Sequence, residues 1–532
     1  MKTVKYYPLF LIITILILSF VSCEYFRIMS YEEWVEFKTG SGPSTYKFPP
    51  NTVFVGYNDN TTDADGSMER PFNSINFAII KAQEGLNTIG NGSGMVAVCS
   101  NSTYTESVSP KSSISIIGGF TTDWKKGDKT LISVTGDEAF FIDSVTDVVI
   151  SGFSILVNSQ NSVDSSIAME GSSGVYIRDC EIILPSNVSL ESYGIYIDMT
   201  SDQSVTIENC TIDISGSAGQ SSTGIYVNNS SNNLNIRNNK IYNSADVAVN
   251  ENIGISISSG FAPHIDNNIV TINKSDSNSA MYGISINLSN STYSSQCNNN
   301  RIALSGKGSM FGIYVIGDAE FMITNNCIYI DITYDSQTYN YYGIYADSAT
   351  APKIYNNMVY IYPNSNLSTN IAAMVYFSMG TSSAEIANNI LYFDNTSSLT
   401  TPMSVTAIYA GNGSFIPGNL RNNIFYIEPD TSTDQFAAYY KAGAPVVIVD
   451  YNSDLTVDVS ASSFRFISDL NNKFLDPIID HPDYQYNDPD WMRPGASSVY
   501  RSGYNLTLDG YSFPDINGVP RGSTWSVGPY QE

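Results

Sequence analysis

Three aspartates, Asp59, Asp63 and Asp65, crowd the segment NDNTTDADG. Closely spaced carboxylates are the hard oxygen donors that calcium prefers, and DADG looks like half of a calcium loop. The rest of that pattern is absent, so a calcium loop and a solvated loop both stay open. Acid–base chemistry is thinly provided: His264 and His481 are the two histidines, and they are isolated from each other. Glycoside hydrolysis needs two carboxylates facing each other across the bond. One recurring polar position reads Asp198, Asn228, Ser258, Asn287, Ile316, Asp347, with no two acids in succession. Tyrosine is better organised. Tyr314, Tyr345, Tyr376 and Tyr409 recur at one place, following Tyr196 and Tyr226, and Tyr329, Tyr360, Tyr392 and Tyr426 at another. A tyrosine row facing outward offers apolar rings with polar tips to a sugar or a protein partner. Equally, such rings can pack on one another as a ladder.

What places these residues at regular intervals is an internal repeat. Asp179, Asn209, Asn238, Asn267, Asn299, Asn325, Asn356, Asn388 and Asn422 are spaced by 30, 29, 29, 32, 26, 31, 32 and 34 residues. An aliphatic or equivalent residue stands two places before and three places after each. Upstream, Gly194, Gly224, Gly254, Gly283, Gly312 and Gly343 each lead into a strand such as GIYI or GISI. The runs alternate with period two and carry no helical periodicity. Strands this short bury a face only when coil is stacked on coil with parallel pairing. The expected fold is therefore all-β, a right-handed parallel β-helix, with Ile195 and Ile197, Ile225 and Val227, and Ile255 and Ile257 forming inward columns. Asn at the turn tolerates the left-handed conformation, and its amide can bond to the amide of the next coil. Gly is expected to leave room at a tight corner.

Several other residues fall into columns of the same register. Arg178, Glu208, Arg237 and Asp266 precede the Asn column and alternate in sign, which reads as a charge ladder more than as a catalytic set. Cys180 and Cys210 follow it in adjacent coils, within disulfide reach; a bridge and a stack of buried free thiols are both open. Cys297 takes an inward place and Cys327 lies one column further on.

The chain of 532 residues has a net charge of −26. So acidic a balance excludes a broad basic surface for nucleic acid and disfavours anionic polymers unless a cation bridges them. Lys2 and Lys5 precede the apolar run LFLIITILILSF, which ends at Ser22 before Cys23. A basic start, a short apolar core and a small residue mark an export signal. The Cys resembles the lipobox cysteine of bacterial lipoproteins, which implies acylation at Cys23, attachment to a membrane by lipid alone and a cell-surface or envelope location. An ordinary cleaved signal is the alternative.

The ends differ from the repeat. Residues 53 to 110 contain VFVGY, then apolar residues at helical spacing (Ile75, Ala78, Ile79, Ala82), then MVAVC, a sensible lid for the first coil. Asp63, Gly66, Ser67, Pro71, Phe72, Ile75, Ala78, Tyr104 and Glu106 resemble the uncharacterised N-terminal domain of bacterial exported β-helix proteins in the pectate-lyase-like group. Asp515, Gly518, Pro520, Arg521, Gly528 and Tyr530 resemble their closing segment. Taken together, these readings divide the chain into a signal at 1–22, a linker at 23–50, an N-terminal strand and helix cap at 51–110, coils at 111–430, and last coils with a C-terminal capping segment at 431–532. The group includes lyases and glycosidases. Its calcium-assisted eliminations use carboxylates and a Lys or Arg base, and no such constellation stands out here. The favoured expectation is a lipid-anchored scaffold that binds polysaccharide or a surface protein, with calcium as the one cofactor under consideration. A polysaccharide lyase or glycosidase is the alternative.

Overall fold

The computed structural model describes residues 46–449, apart from segments between strands, together with residues 515 and 516. The expected signal, Cys23 and nearly all of the expected C-terminal cap lie outside the described residues. Three long parallel sheets run the length of the described residues. Sheet A has 13 strands, and sheets B and C have 12 each among the described residues. From Ile114 onward each coil contributes one strand to each sheet in turn, so the chain is a parallel β-helix. Its core is a continuous aliphatic column: Ile195, Ile225, Ile255, Ile284, Ile313 and Ile344 are all fully buried in consecutive coils.

The N-terminal cap is part of the same stack. Strand β1 (Thr52–Val55) pairs in parallel with β2 (Gly94–Cys99), and both are the first members of sheet A. Between them, helix α1 (Ile75–Ile89) lays Ile75, Ala78, Ile79 and Ala82 over the open end of the core. Its first turn is closed by Glu106, whose carboxylate accepts from the Ile75 and Asn76 amides at 2.5 and 3.2 Å. An anionic side chain at these unpaired N–H groups also meets the positive end of the helix. At the other end, Phe436–Lys441 still pairs in parallel with Ser404–Ala410, but Ala444–Val449 turns back antiparallel.

The turn from sheet A to sheet B separates two roles that the sequence places in one residue. Asn209, Asn238, Asn267, Asn299, Asn325, Asn356 and Asn388 have φ between 55° and 58°, as Asp179 does, and make the bend. The ladder belongs to the second residue of each pair. Asn239, Asn268, Asn300, Asn326, Asn357, Asn389 and Asn423 are fully buried. In Asn357, Oδ1 accepts from the backbone N and the Nδ2 of Asn326, both at 2.9 Å. Its own Nδ2 donates to Ile323 O at 2.8 Å and to Asn389 Oδ1 at 3.0 Å. The glycines also act differently from expectation. They sit inside the sheet C strands, and a Cβ on Gly312 would lie 2.4 Å from Ile328 Cγ2 and 2.5 Å from Gly343 O. Gly is there because the facing wall of sheet B leaves no space for a side chain.

Replacing Asn357 by Ala strands Ile323 O, the Asn326 amide and one neighbouring carboxamide inside the core. Each lost partner costs about 1–3 kcal/mol, so a loss of roughly 3 kcal/mol or more is expected in chemical denaturation. Gly312→Ala should also be destabilising, whereas Gly85→Ala, with open space around it in α1, should add about 0.5–1 kcal/mol.

Candidate functional site

On the outer face of sheet C the tyrosine row is in place. Tyr314, Tyr345, Tyr376 and Tyr409 are in register in four successive coils. Their rings stack at 4.7, 5.0 and 4.8 Å between centroids, with planes within 17° of parallel. Residues three apart, on either side of each Gly, share this face, and Tyr282, Phe311 and Tyr342 form a second row beside the first. Phe311 meets Tyr314 edge-on at 5.2 Å, and Tyr342 meets Tyr376 at 4.4 Å. The first row is half-buried, and burial pushes the hydroxyls of Tyr314 and Tyr376 up to about 12, so they remain protonated donors. The faces of the rings are spent on one another. What solvent meets is a line of ring edges and hydroxyls at one-coil intervals. The row is broken toward the N-terminus by Ser256 and Ser285, beyond which Tyr196 and Tyr226 stack again at 5.6 Å.

The other tyrosine row requires a correction. Tyr329, Tyr360 and Tyr392 are in register on sheet B, but they are 7, 3 and 8 % exposed. They stack at 5.5 and 4.7 Å, so each ring covers the next, and they present no open face. Tyr426 continues the strand register with Tyr392; its side chain lies outside the described residues.

In the acidic loop, Asp59 lies outside the described residues. Asp65 accepts from the Ser67 amide at 3.0 Å and pairs with Arg70. The bonds from Ser67, with Arg70 behind them, hold its carboxyl below the usual range. A calcium ion here would have to displace the guanidinium. Among the described residues no three His, Cys, Asp or Glu side chains converge as metal ligands. The polar row at the end of the sheet C strands is a ladder: Asn228 Nδ2 donates to Asp198 Oδ1 at 3.3 Å, and Ser258 Oγ donates to Asn228 Oδ1 at 3.0 Å. Arg178, Glu208, Arg237 and Asp266 are in register, with Arg237 Nη2 2.7 Å from Glu208. Cys180 and Cys210 are buried free thiols stacked in adjacent coils. The hydrogen bond to Cys180, then burial, pushes the Cys210 thiol up.

One feature escaped the sequence reading. A groove runs along the turn between sheets A and B, made of two adjoining hollows of about 450 and 200 Å³ that share Asn238 and Lys240. Its wide end is walled by an excursion at 121–129, folded back by a bridge between Phe120 and Lys126 and anchored by Trp124, which packs on Phe54 at 4.6 Å. Lys126 Nζ donates to Gly118 O at 3.0 Å and sits 5.0 Å from the Phe120 ring centre. Burial drives this ammonium down to about 8, against the pull of Asp179 and with a push from Arg178. Lys129, Lys240 and Arg301 line the groove further along. The signal was present in the register: Lys240 and Arg301 both open sheet B strands, two coils apart.

No protein-family model matches this chain, and no curated protein matches it. The likeness of its ends to pectate-lyase-like proteins therefore carries as far as the fold, a parallel β-helix, and family membership is not shown. Among the described residues no helix is long and apolar enough to cross a membrane.

The unfolded chain holds the Lys126 proton up to its ordinary 10.5, while the folded chain releases it near 8. Stability should therefore rise with pH across that interval. Comparing the melting temperatures of wild type and Lys126→Met at pH 7 and pH 10 isolates this contribution; the gap between them should change in favour of wild type at pH 10.

Proposed function

We propose that this protein is an exported bacterial lipoprotein, anchored through Cys23, whose β-helix is a rigid binding shaft for a partner at the cell surface. The observation that carries this is the aromatic face of sheet C, in which Tyr314, Tyr345, Tyr376 and Tyr409 form a row flanked by Tyr282, Phe311 and Tyr342. Ring edges and hydroxyl donors on a nearly flat sheet suit a flat protein surface better than a sugar ring, which would stack on an open aromatic face. Tyr is also among the residues that dominate binding energy at protein interfaces. Beside Tyr314 and Tyr345 the polar row holds Ile316 and Asp347, so no two acids face each other next to the aromatic rows; Asp143, Glu170 and Asp198 stand in successive coils at the N-terminal end of the same row.

Affinity capture from a bacterial envelope fraction, with wild type against Tyr345→Ser/Tyr376→Ser, tests this role. A captured protein should bind the double variant at least 10-fold more weakly while the circular-dichroism spectrum is kept. Release of unsaturated or reducing ends from any polysaccharide in a panel, with and without calcium, would replace the binding role by the lyase or glycosidase alternative.

A further inference from the structure

At two consecutive coils the column of buried amides gives way to thiols, and these thiols adjoin the cationic hollow. We infer that Cys180 and Cys210 are a redox-modification site, a dithiol that a small hydroperoxide converts to a disulfide. The pairs Arg178–Glu208 and Glu181–Thr211 set Cys180 directly opposite Cys210. Neighbouring strands of a sheet run about 4.8 Å apart, inside the Cα separations of roughly 4.4–6.8 Å that a disulfide spans. Both thiols are free. As structural members of the column they achieve little. Asn239 Nδ2 donates to Ile207 O at 3.0 Å, whereas Cys210 Sγ stands 3.8 Å from Ile177 O, the equivalent acceptor one coil earlier.

Their surroundings favour a thiolate. The bond from the Cys210 thiol, then the Phe153 amide and the charge of Lys129, draw the Cys180 thiol below its ordinary range, against burial and Asp179. Lys126 lines the same hollow as Lys129 and Cys210, and its ammonium also feels the charge of Cys180. Reactive cysteines sit in such electropositive settings, while buried thiols without them are inert. Cys297 supplies the contrast within this chain. Burial, with Asp266 nearby, pushes its thiol up, and its register partners are Ile265 and Ile323.

The setting also selects the reagent. Positive charge at the hollow disfavours a soft metal cation, and sulfur-bearing residues only 0 and 1 % exposed exclude bulky disulfides. A hydroperoxide is small and uncharged. With hydrogen peroxide, the Cys180 thiolate attacks one oxygen and the O–O bond breaks; the departing hydroxide takes a proton and leaves as water. Cys210 then attacks the sulfenic acid at Cys180. An S–S bond replaces the S–O bond, and a second water leaves with the Cys210 proton. Two thiols have given up two electrons and two protons, and one peroxide has become two waters.

The test uses the full chain, reduced in its folded state with a soluble phosphine and then given a small excess of hydrogen peroxide. Remaining thiols are blocked in acid denaturant. Cleavage after glutamate puts Cys180 and Cys210 on separate peptides, 171–181 and 209–251, whose linkage is read by mass. The linked pair should form at least 10-fold faster than Cys297 is oxidised. In Cys210→Ser, Cys180 should accumulate as the sulfenic acid, captured by dimedone. In Cys180→Ser, Cys210 should react at least 10-fold more slowly than the wild-type pair. Linkage only after unfolding, oxidation of Cys297 at the same rate, or a Cys180–Cys210 bridge that the phosphine cannot open in the folded chain would overturn the inference.

Discussion

A buried amide must find partners for its oxygen and its two hydrogens, and in this molecule the partners are the amides of neighbouring coils. From Asn239 to Asn423 the column satisfies every carboxamide it contains, at 2.8 to 3.1 Å for the contacts to backbone carbonyls. Shifting one coil by a single residue would leave several buried polar groups unpaired, at about 1–3 kcal/mol each. The ladder therefore pins the register, and with it the cross-section that every coil must repeat. Where Asn gives way to Cys180 and Cys210, the thiols fill the same place, and the Cys210 amide still takes its partner from Asn239 at 3.0 Å.

Once register is pinned, any side chain repeated in the sequence becomes a row in space. Rows of like groups must then be reconciled physically. Aliphatic rows fill the core. Tyrosine rows consume their ring faces against each other, so on sheet C only edges and hydroxyls reach the surface. One charged row alternates in sign, from Arg178 to Asp266, whereas Asp143, Glu170 and Asp198 follow one another as acids at the rim of sheet C. The groove cations escape this rule because Ile269 stands between Lys240 and Arg301 and separates them by two coils.

Much of this could be read from residue order. The repeat of Asn pairs at about one coil length, the inward aliphatic columns, the polar ladder through Asp198 and Asn228 and the apolar stripe of α1 all follow from local pattern and period. The division of labour within each Asn pair could not be read, because conformation and burial differ between residues that are identical in type. Nor could the reason for Gly312 and its equivalents, which lies in a side chain contributed by the opposite wall. The sheet B tyrosines were expected outside by alternation alone, and alternation does not report what covers a face. Lys274, wholly buried with Nζ donating to Ser279 Oγ, breaks the pattern that keeps cations at the surface.

By itself the amino-acid order determined the period, and period sufficed for a parallel stack, since short alternating strands bury apolar surface only against copies of themselves. What only the tertiary structure decided is where that stack departs from uniformity. The excursion at 121–129 bends back on Trp124, carries Lys126 and Lys129, and walls a groove whose remaining cations, Lys240 and Arg301, arrive 114 and 175 residues later than Lys126. Contacts between such distant segments depend on how far each coil advances and on which turn the excursion covers. Neither quantity is encoded in the net charge, which is why so acidic a chain can carry a cationic groove.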